Sequence, residues 1–167
     1  MEVFDAVRSV LAVRQYQDKP VPPDTVRRVV EAGWLTGSSM NGQPWHFIVV
    51  EDRAMLRRLG EAASSGRYIA QAPLAIVVVI EDTVYSVSDA SRAIQSMLLT
   101  AWTEGIGSNW VGFHGLYAVK PLLGISSELD VLAILPFGYP AQKVGKGKKK
   151  RKLLSEVASR ERYGQPF

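Results

Sequence analysis

The nine residues 72–80, APLAIVVVI, limit the possible folds more than any other stretch. Ile76 to Ile80 form an unbroken β-branched series, which favours extended backbone. No polar residue alternates with them, so both faces of the strand must be covered, and the segment reads as a central strand. It is the longest apolar run in the chain, and it falls far short of the ~20 residues that span a bilayer. The opening residues MEVFDAVRSV carry acids and no long apolar core, unlike a secretion signal, so a cytoplasmic location is expected. At 167 residues the chain is expected to form one domain, large enough to bury roughly 70% of its unfolded surface.

Helical and extended patterns alternate around that strand. VFDAVRSVLAV predicts a helix over 3–13 with Val3, Phe4, Val7, Val10 and Leu11 on one apolar stripe. KPVPP breaks it, and a second helix starts near Asp24 with Val26, Val29, Val30 and Trp34 facing inward. HFIVVE predicts a strand, RAMLRRLGEAA a short amphipathic helix, and residues 88–105 a largely buried helix stopped by Gly105 and Gly107. SNWVGF reads as a short strand or extended turn. VLAILPFGYP reads as a strand that Pro136 pushes towards an edge or a bulge.

The chain has no cysteine, which excludes disulfides and thiolate metal sites. His46 and His114 are far apart without ligand-like spacing, which disfavours zinc. No G-x-G-x-x-G follows a strand, no Walker loop is present, and no Ser-His-Asp or Cys-His set can be assembled. Amide and hydroxyl side chains instead crowd at the mouth of a strand in SSMNGQPWHFIVV, residues 38–50. Poor in catalytic side chains and rich in such groups, the chain fits an enzyme whose cofactor does the chemistry. The net charge of +4 is local: KVGKGKKKRK, residues 143–152, holds seven cations and no acid, and without it the chain would be net negative. Alone, that run reads either as a solvated loop or as a patch for nucleic acid or an anionic surface.

Five segments, in order, resemble the nitroreductase family of FMN-dependent oxidoreductases. They are VRQYQDKPVP (13–22), SSMNGQPWHFIVV, DASRAIQSMLLTAWTEGIGSNWVG (89–112), FGYPA (137–141) and KRKLLSEV (150–157). The resemblance covers nearly the whole chain. It implies an α+β fold, a three-layer sandwich with a mostly antiparallel sheet flanked by helices, in an intertwined homodimer. Residues 1–167 would be a single domain, with 143–152 a basic loop and 153–167 a C-terminal arm docking on the partner subunit.

The same resemblance implies a binding site for FMN, with NAD(P)H as co-substrate. Hydride would pass to FMN and then, by a ping-pong mechanism, to a small electron-poor acceptor such as a nitroaromatic or quinone. Ser38, Ser39, Asn41 and Gln43 would face the flavin bound mainly by the partner subunit, the amides matching the donors and acceptors of its ring edge. Arg14 would stabilise negative charge on the reduced ring. Trp110 and Gly112 would bring backbone N–H groups to its N5 side, the Trp110 ring itself reading as core. Lys149 and Arg151, alternate residues on an extended arm, would hold the phosphate. No side chain is expected to act as a catalytic acid, no metal is implied, and neither a membrane nor nucleic acid is an expected partner.

One departure stands out. Where the family reads R-R-S-x-R, this chain keeps only Arg14 and has Val10, Leu11 and Ala12 in place of the preceding donors. Each missing charge-assisted hydrogen bond is worth ~1.5–3 kcal/mol. Two alternatives therefore stand beside the oxidoreductase: a family scaffold with weak or altered flavin binding that takes another anionic ligand, and a nucleic-acid binder using the basic run.

Overall fold

The computed structural model describes residues 1–112, 116–142, 144 and 149–167. The end of the predicted 108–113 segment, His114, and Lys143, Lys146 and Lys148 of the basic run lie outside the described residues.

The run at 74–80 forms a fully buried strand. In chain order the strands are β1 (Trp45–Val50), β2 (Leu74–Ile80), β3 (Gly107–Ser108), β4 (Val111–Gly112) and β5 (Asp130–Gly138). The sheet order is β1-β2-β5-β3, with β4 also on β5, and every strand pair is antiparallel. β2 therefore sits between two neighbours, as its composition requires. Its alternate residues enter different cores. Leu74, Ile76, Val78 and Ile80 pack with Val29, Ile94, Met97 and Phe137. Ala75, Val77 and Val79 pack with Leu56, Leu59, Ile69 and Val119. Helices α2 (Pro23–Trp34) and α4 (Ser86–Thr103) cover the first face; α3 (Arg53–Ala62) and α5 (Val119–Leu123) cover the second. The result is the expected α+β three-layer arrangement.

Helix α4 follows its sequence closely. Ala90, Ala93, Ile94, Met97 and Ala101 are buried, and Gly105 (φ 78°) ends it. The N–H groups of Gly105 and Ile106 donate to the carbonyls of Trp102 and Ala101, the paired bonds of a Schellman cap. α2 begins with Pro23 and carries Asp24 in its first turn.

Three expectations are corrected. The first helix, α1, spans only Val3–Ser9. Beyond it Val13 N–H donates to Ser108 O and Ala12 bridges Ser108, so the chain is drawn out beside β3 instead of continuing as helix. Ala6 is the buried residue of α1; of the predicted stripe, Val10 and Leu11 are half-buried, and Val3, Phe4 and Val7 are exposed, with no described element of the chain covering them. Trp34 is likewise exposed, since Val29 and Gly33 form the buried face of α2. Pro136 lies in a strand flanked on both sides. It is tolerated there because it stands opposite the gap between β3 and β4, where its carbonyl accepts from Asn109 N–H. The bulge falls at Leu132, between the Val78–Ala133 and Val79–Val131 pairs.

Candidate functional site

The segment before β1 folds as a tight polar loop. Ser39–Asn41 make one 3-10 turn, and Met40, Asn41 and Gln43 all have positive φ (51°, 55° and 50°). Left-handed backbone costs an L-residue roughly 1–2 kcal/mol. Three such residues among four are held by a surrounding hydrogen-bond frame. Gln43 N–H donates to Ser38 Oγ at 2.9 Å, and Gln43 Nε2 donates to Asn41 O at 3.2 Å. Ser39 N–H and Ser39 Oγ donate to the two oxygens of Asp89 at 2.9 and 3.0 Å. Glu81 N–H donates to Pro44 O, tying the exit of the loop to the end of β2.

Asp89 is buried in the first turn of α4, and Arg92 pairs with it one turn later. Burial alone would raise its pKa. The Ser39 N–H, the Arg92 guanidinium and the Ser39 hydroxyl together outweigh that and hold it below the ordinary carboxylate value. The serines are thus half-buried and committed to the frame, whereas Asn41 and Gln43 are exposed.

A second group gathers beyond the other end of α4. Val13 packs against Gly107 so closely that a Cβ there would lie 2.5 Å from Val13 Cγ2. This fixes the next residue, Arg14, beside β3. Its guanidinium lies 6.0 Å from the centroid of the Tyr68 ring. No carboxylate among the described residues forms an ion pair with it. Tyr68 Oη accepts from Asn109 Nδ2, linking this cation to the turn after β3. Tyr16 Oη is buried and donates to Val13 O at 2.6 Å; burial, reinforced by Tyr68 and opposed by Arg14, pushes its pKa up, so it stays neutral.

Trp110 is half-buried against the α4 core, in agreement with its reading as a core ring. It also lines a cleft of about 550 Å³ with Ile80, Val87, Ser91, Leu116 and Lys120, which reaches the first turns of α4. Gly112 answers to this packing: a Cβ would lie 2.5 Å from Trp110 Nε1 and 2.9 Å from Leu132 O.

Lys149 Nζ donates to Val7 O at 2.8 Å, so the arm returns to the last turn of α1. Burial and the adjacent Arg151 charge push the Lys149 pKa down. Arg151 is exposed and donates to Lys150 O at 3.3 Å.

One chain therefore holds two separate clusters. Ser38, Ser39, Asn41 and Gln43 sit together at the N-terminal end of α4. Arg14 sits beyond its C-terminal end, while Trp110 and Gly112 lie between the two, with Trp110 beside Val87 and Ser91 of the first turns of α4. α4 has 18 residues and a length of about 27 Å. Sequence reading had missed Asp89, Tyr68 and Asn109 as parts of these clusters. Only Asp89 carried a signal, as an acid at a helix start. Among the described residues no group of His, Asp and Glu is arranged to hold a metal ion, and no helix is long and apolar enough to cross a membrane.

The model of the "Nitroreductase family" matches residues 8–82 and 65–139. A protein of Methanothermobacter thermautotrophicus, provisionally named an NADH dehydrogenase/NAD(P)H nitroreductase, is 32% identical over 154 residues, covering 87% of this chain and 81% of that protein. A relative from Archaeoglobus fulgidus under the same provisional name is 35% identical over 139 residues, covering 77% and 80%. Among solved structures, the FMN-dependent nitroreductase of Clostridium difficile superposes with a TM-score of 0.79 at 26% identity, over 84% of this chain and 88% of that one.

Proposed function

The chain belongs to the nitroreductase family, and from that membership and the two clusters we propose that it is an FMN-dependent NAD(P)H oxidoreductase working as a homodimer. The carrying observation is the separation of the two polar clusters by the length of α4. Each is half of a site, and a second copy can bring the 38–43 loop of one subunit to the Arg14 region of the other. Exposed apolar side chains support the same reading. Val3, Phe4 and Val7 of α1, Trp34 and Leu35 at the end of α2, and Leu153, Leu154 and Val157 of the arm are exposed. In this reading residues 1–167 are one domain and 153–167 dock on the partner, in a cytoplasmic enzyme.

The donor set fits FMN. Asn41 and Gln43 offer exposed amides to a flat heterocycle edged with N–H and C=O groups. Ser38 and Ser39 hold the loop that presents them, and the backbone at Trp110 and Gly112 adds N–H groups. Arg14 supplies a cation without a carboxylate partner, set to stabilise negative charge on the reduced ring. Lys149 and Arg151 supply charge for the phosphate where Val10, Leu11 and Ala12 offer no side-chain donor. Bound FMN would supply the redox chemistry, accepting hydride from NAD(P)H and passing electrons to an electron-poor acceptor in a ping-pong cycle. The protein's share is orientation, charge stabilisation and exclusion of water.

Anaerobic mixing of the flavin-loaded protein with NADH or NADPH tests this reading. It expects bleaching of the flavin band without an acceptor, then recovery when a quinone or nitroaromatic is added after the nicotinamide is removed. Bleaching that requires the acceptor to be present would contradict the ping-pong order. A second reading, a scaffold for another anionic ligand, draws on the donor-free stretch at Val10–Ala12. It predicts no bleaching and tighter binding of a non-flavin anion.

A further inference from the structure

We infer that Asp89 is the positioning residue of the flavin-facing loop, clamping the Ser39–Asn41 turn so that the amides of Asn41 and Gln43 are presented in one fixed arrangement. The inference rests on the reading of that loop as the flavin-facing half of the site.

Asp89 is the one buried carboxylate among the described residues. An acid in the first turn of a helix ordinarily lies at the surface and interacts with the helix dipole. Here both carboxylate oxygens are turned on the loop instead. Oδ2 accepts from Ser39 N–H, and Oδ1 accepts from Ser39 Oγ and from Arg92. The capping position of α4 is Tyr85, with no side-chain cap, so Asp89 is not serving the helix's own amides.

The object being held is unusual. Met40, Asn41 and Gln43 are non-glycine residues in left-handed backbone, a conformation that persists only where the surroundings over-determine it. The remaining bonds of the loop stay within residues 38–45, the side-chain bonds of Gln43 with Ser38 and Asn41 and the backbone bonds from Asn41, Gly42 and Trp45 N–H, apart from the bond of Glu81 N–H to Pro44 O at its exit. Where Glu81 holds the exit of the loop, the Asp89 bonds are the ones that tie the Ser39–Asn41 turn itself to a helix. α4 is buried along most of its length, so the turn takes its position from the core. A carboxylate suits this task because it accepts from two donors on the same residue while Arg92 balances its charge, whereas an amide would turn an N–H₂ towards one of those donors.

Asp89→Asn in the full-length protein tests the inference by two measurements. In flavin-free protein, amide hydrogen exchange should speed up at Ser39 and Gln43 while β2 and the middle of α4 keep their protection. In an FMN titration followed by flavin fluorescence, Kd should rise about tenfold or more. Adding Asn41→Ala should then cost less in the Asp89→Asn background than in wild type, the non-additivity expected of a residue acting through the loop. A folded Asp89→Asn protein with wild-type exchange at Ser39 and wild-type Kd overturns the inference. Wild-type protein that binds no FMN would instead overturn the proposed function, and the exchange measurement would still decide whether Asp89 holds the loop.

Should Asp89→Asn not fold, Arg92→Met keeps the Ser39 bonds and removes the one charged group in contact with Asp89 among the described residues. Without that cation the carboxylate protonates at higher pH, so the loop amides should lose protection at a higher pH than in wild type. Identical pH dependence in both proteins overturns the inference.

Discussion

At the scale of single residues, the site halves depend on a few contacts that can be broken one at a time. Arg14 stands over Tyr68 without a carboxylate partner, and Arg14→Met should leave the fold intact while making the bound flavin harder to reduce. A loss of ~1–3 kcal/mol in stabilising the reduced form lowers a two-electron potential by about 20–65 mV. An unchanged midpoint potential would place the side chain away from the ring. Gly107→Ala drives a methyl group into Val13 and should lower stability by ~1–3 kcal/mol, read as a fall in Tm. Asp89 carries a pH signature. Its folded pKa lies below the ordinary value of about 4, so its contribution to stability is complete above that value and is lost as pH falls through the folded pKa. Asp89→Asn should therefore lower Tm at neutral pH and flatten the acid limb of the Tm–pH curve. An acid limb as steep as that of wild type would contradict this assignment. The contacts of Asp89 and Tyr68 were invisible in the sequence because each is made across a large separation, 50 residues from Ser39 to Asp89 and 41 from Tyr68 to Asn109. The 38–43 loop was legible because polar side chains crowded before an apolar strand are a local pattern.

At the scale of elements, β2 and α4 were legible for the same reason: each carries its burial in its own composition. α1 was not, because the residues after Ser9 continue a helical pattern yet pair with β3, a tertiary bond that outweighs propensity. Its apolar stripe was legible, but periodicity shows only that a helix has an apolar face, not what covers it, and Val3, Phe4 and Val7 are exposed. Pro136 misled because the rule against proline in a central strand assumes an unbroken neighbour, and β3 and β4 leave a gap there. The end of α1 and the arm make the next prediction. Lys149 already reaches Val7 O, at a helix end whose residues Val10, Leu11 and Ala12 lack side-chain donors. If the arm carries the phosphate, replacing Lys149 and Arg151 together with Gln should release FMN. Val10→Arg with Ala12→Ser should tighten binding and weaken its dependence on salt, since less exposed pairs are screened less. Dissociation constants measured across a salt series decide it. An arm variant that binds like wild type would mean the phosphate is held elsewhere.

At the scale of the whole molecule, the account requires two copies. The halves of the site lie beyond opposite ends of an 18-residue helix, and the apolar residues of α1, of the end of α2 and of the arm await cover. Light scattering should give the mass of a dimer at micromolar concentration, and a stable, folded monomer would contradict the composite site. The central claim, that this chain is a flavin enzyme of the nitroreductase family, is tested most directly by the visible spectrum of the purified protein together with mass spectrometry of what heat releases from it. The account predicts an oxidised-flavin absorption band and release of FMN, either as purified or after incubation with FMN and removal of the excess. A protein that stays colourless after that incubation and releases a different anionic molecule would contradict it.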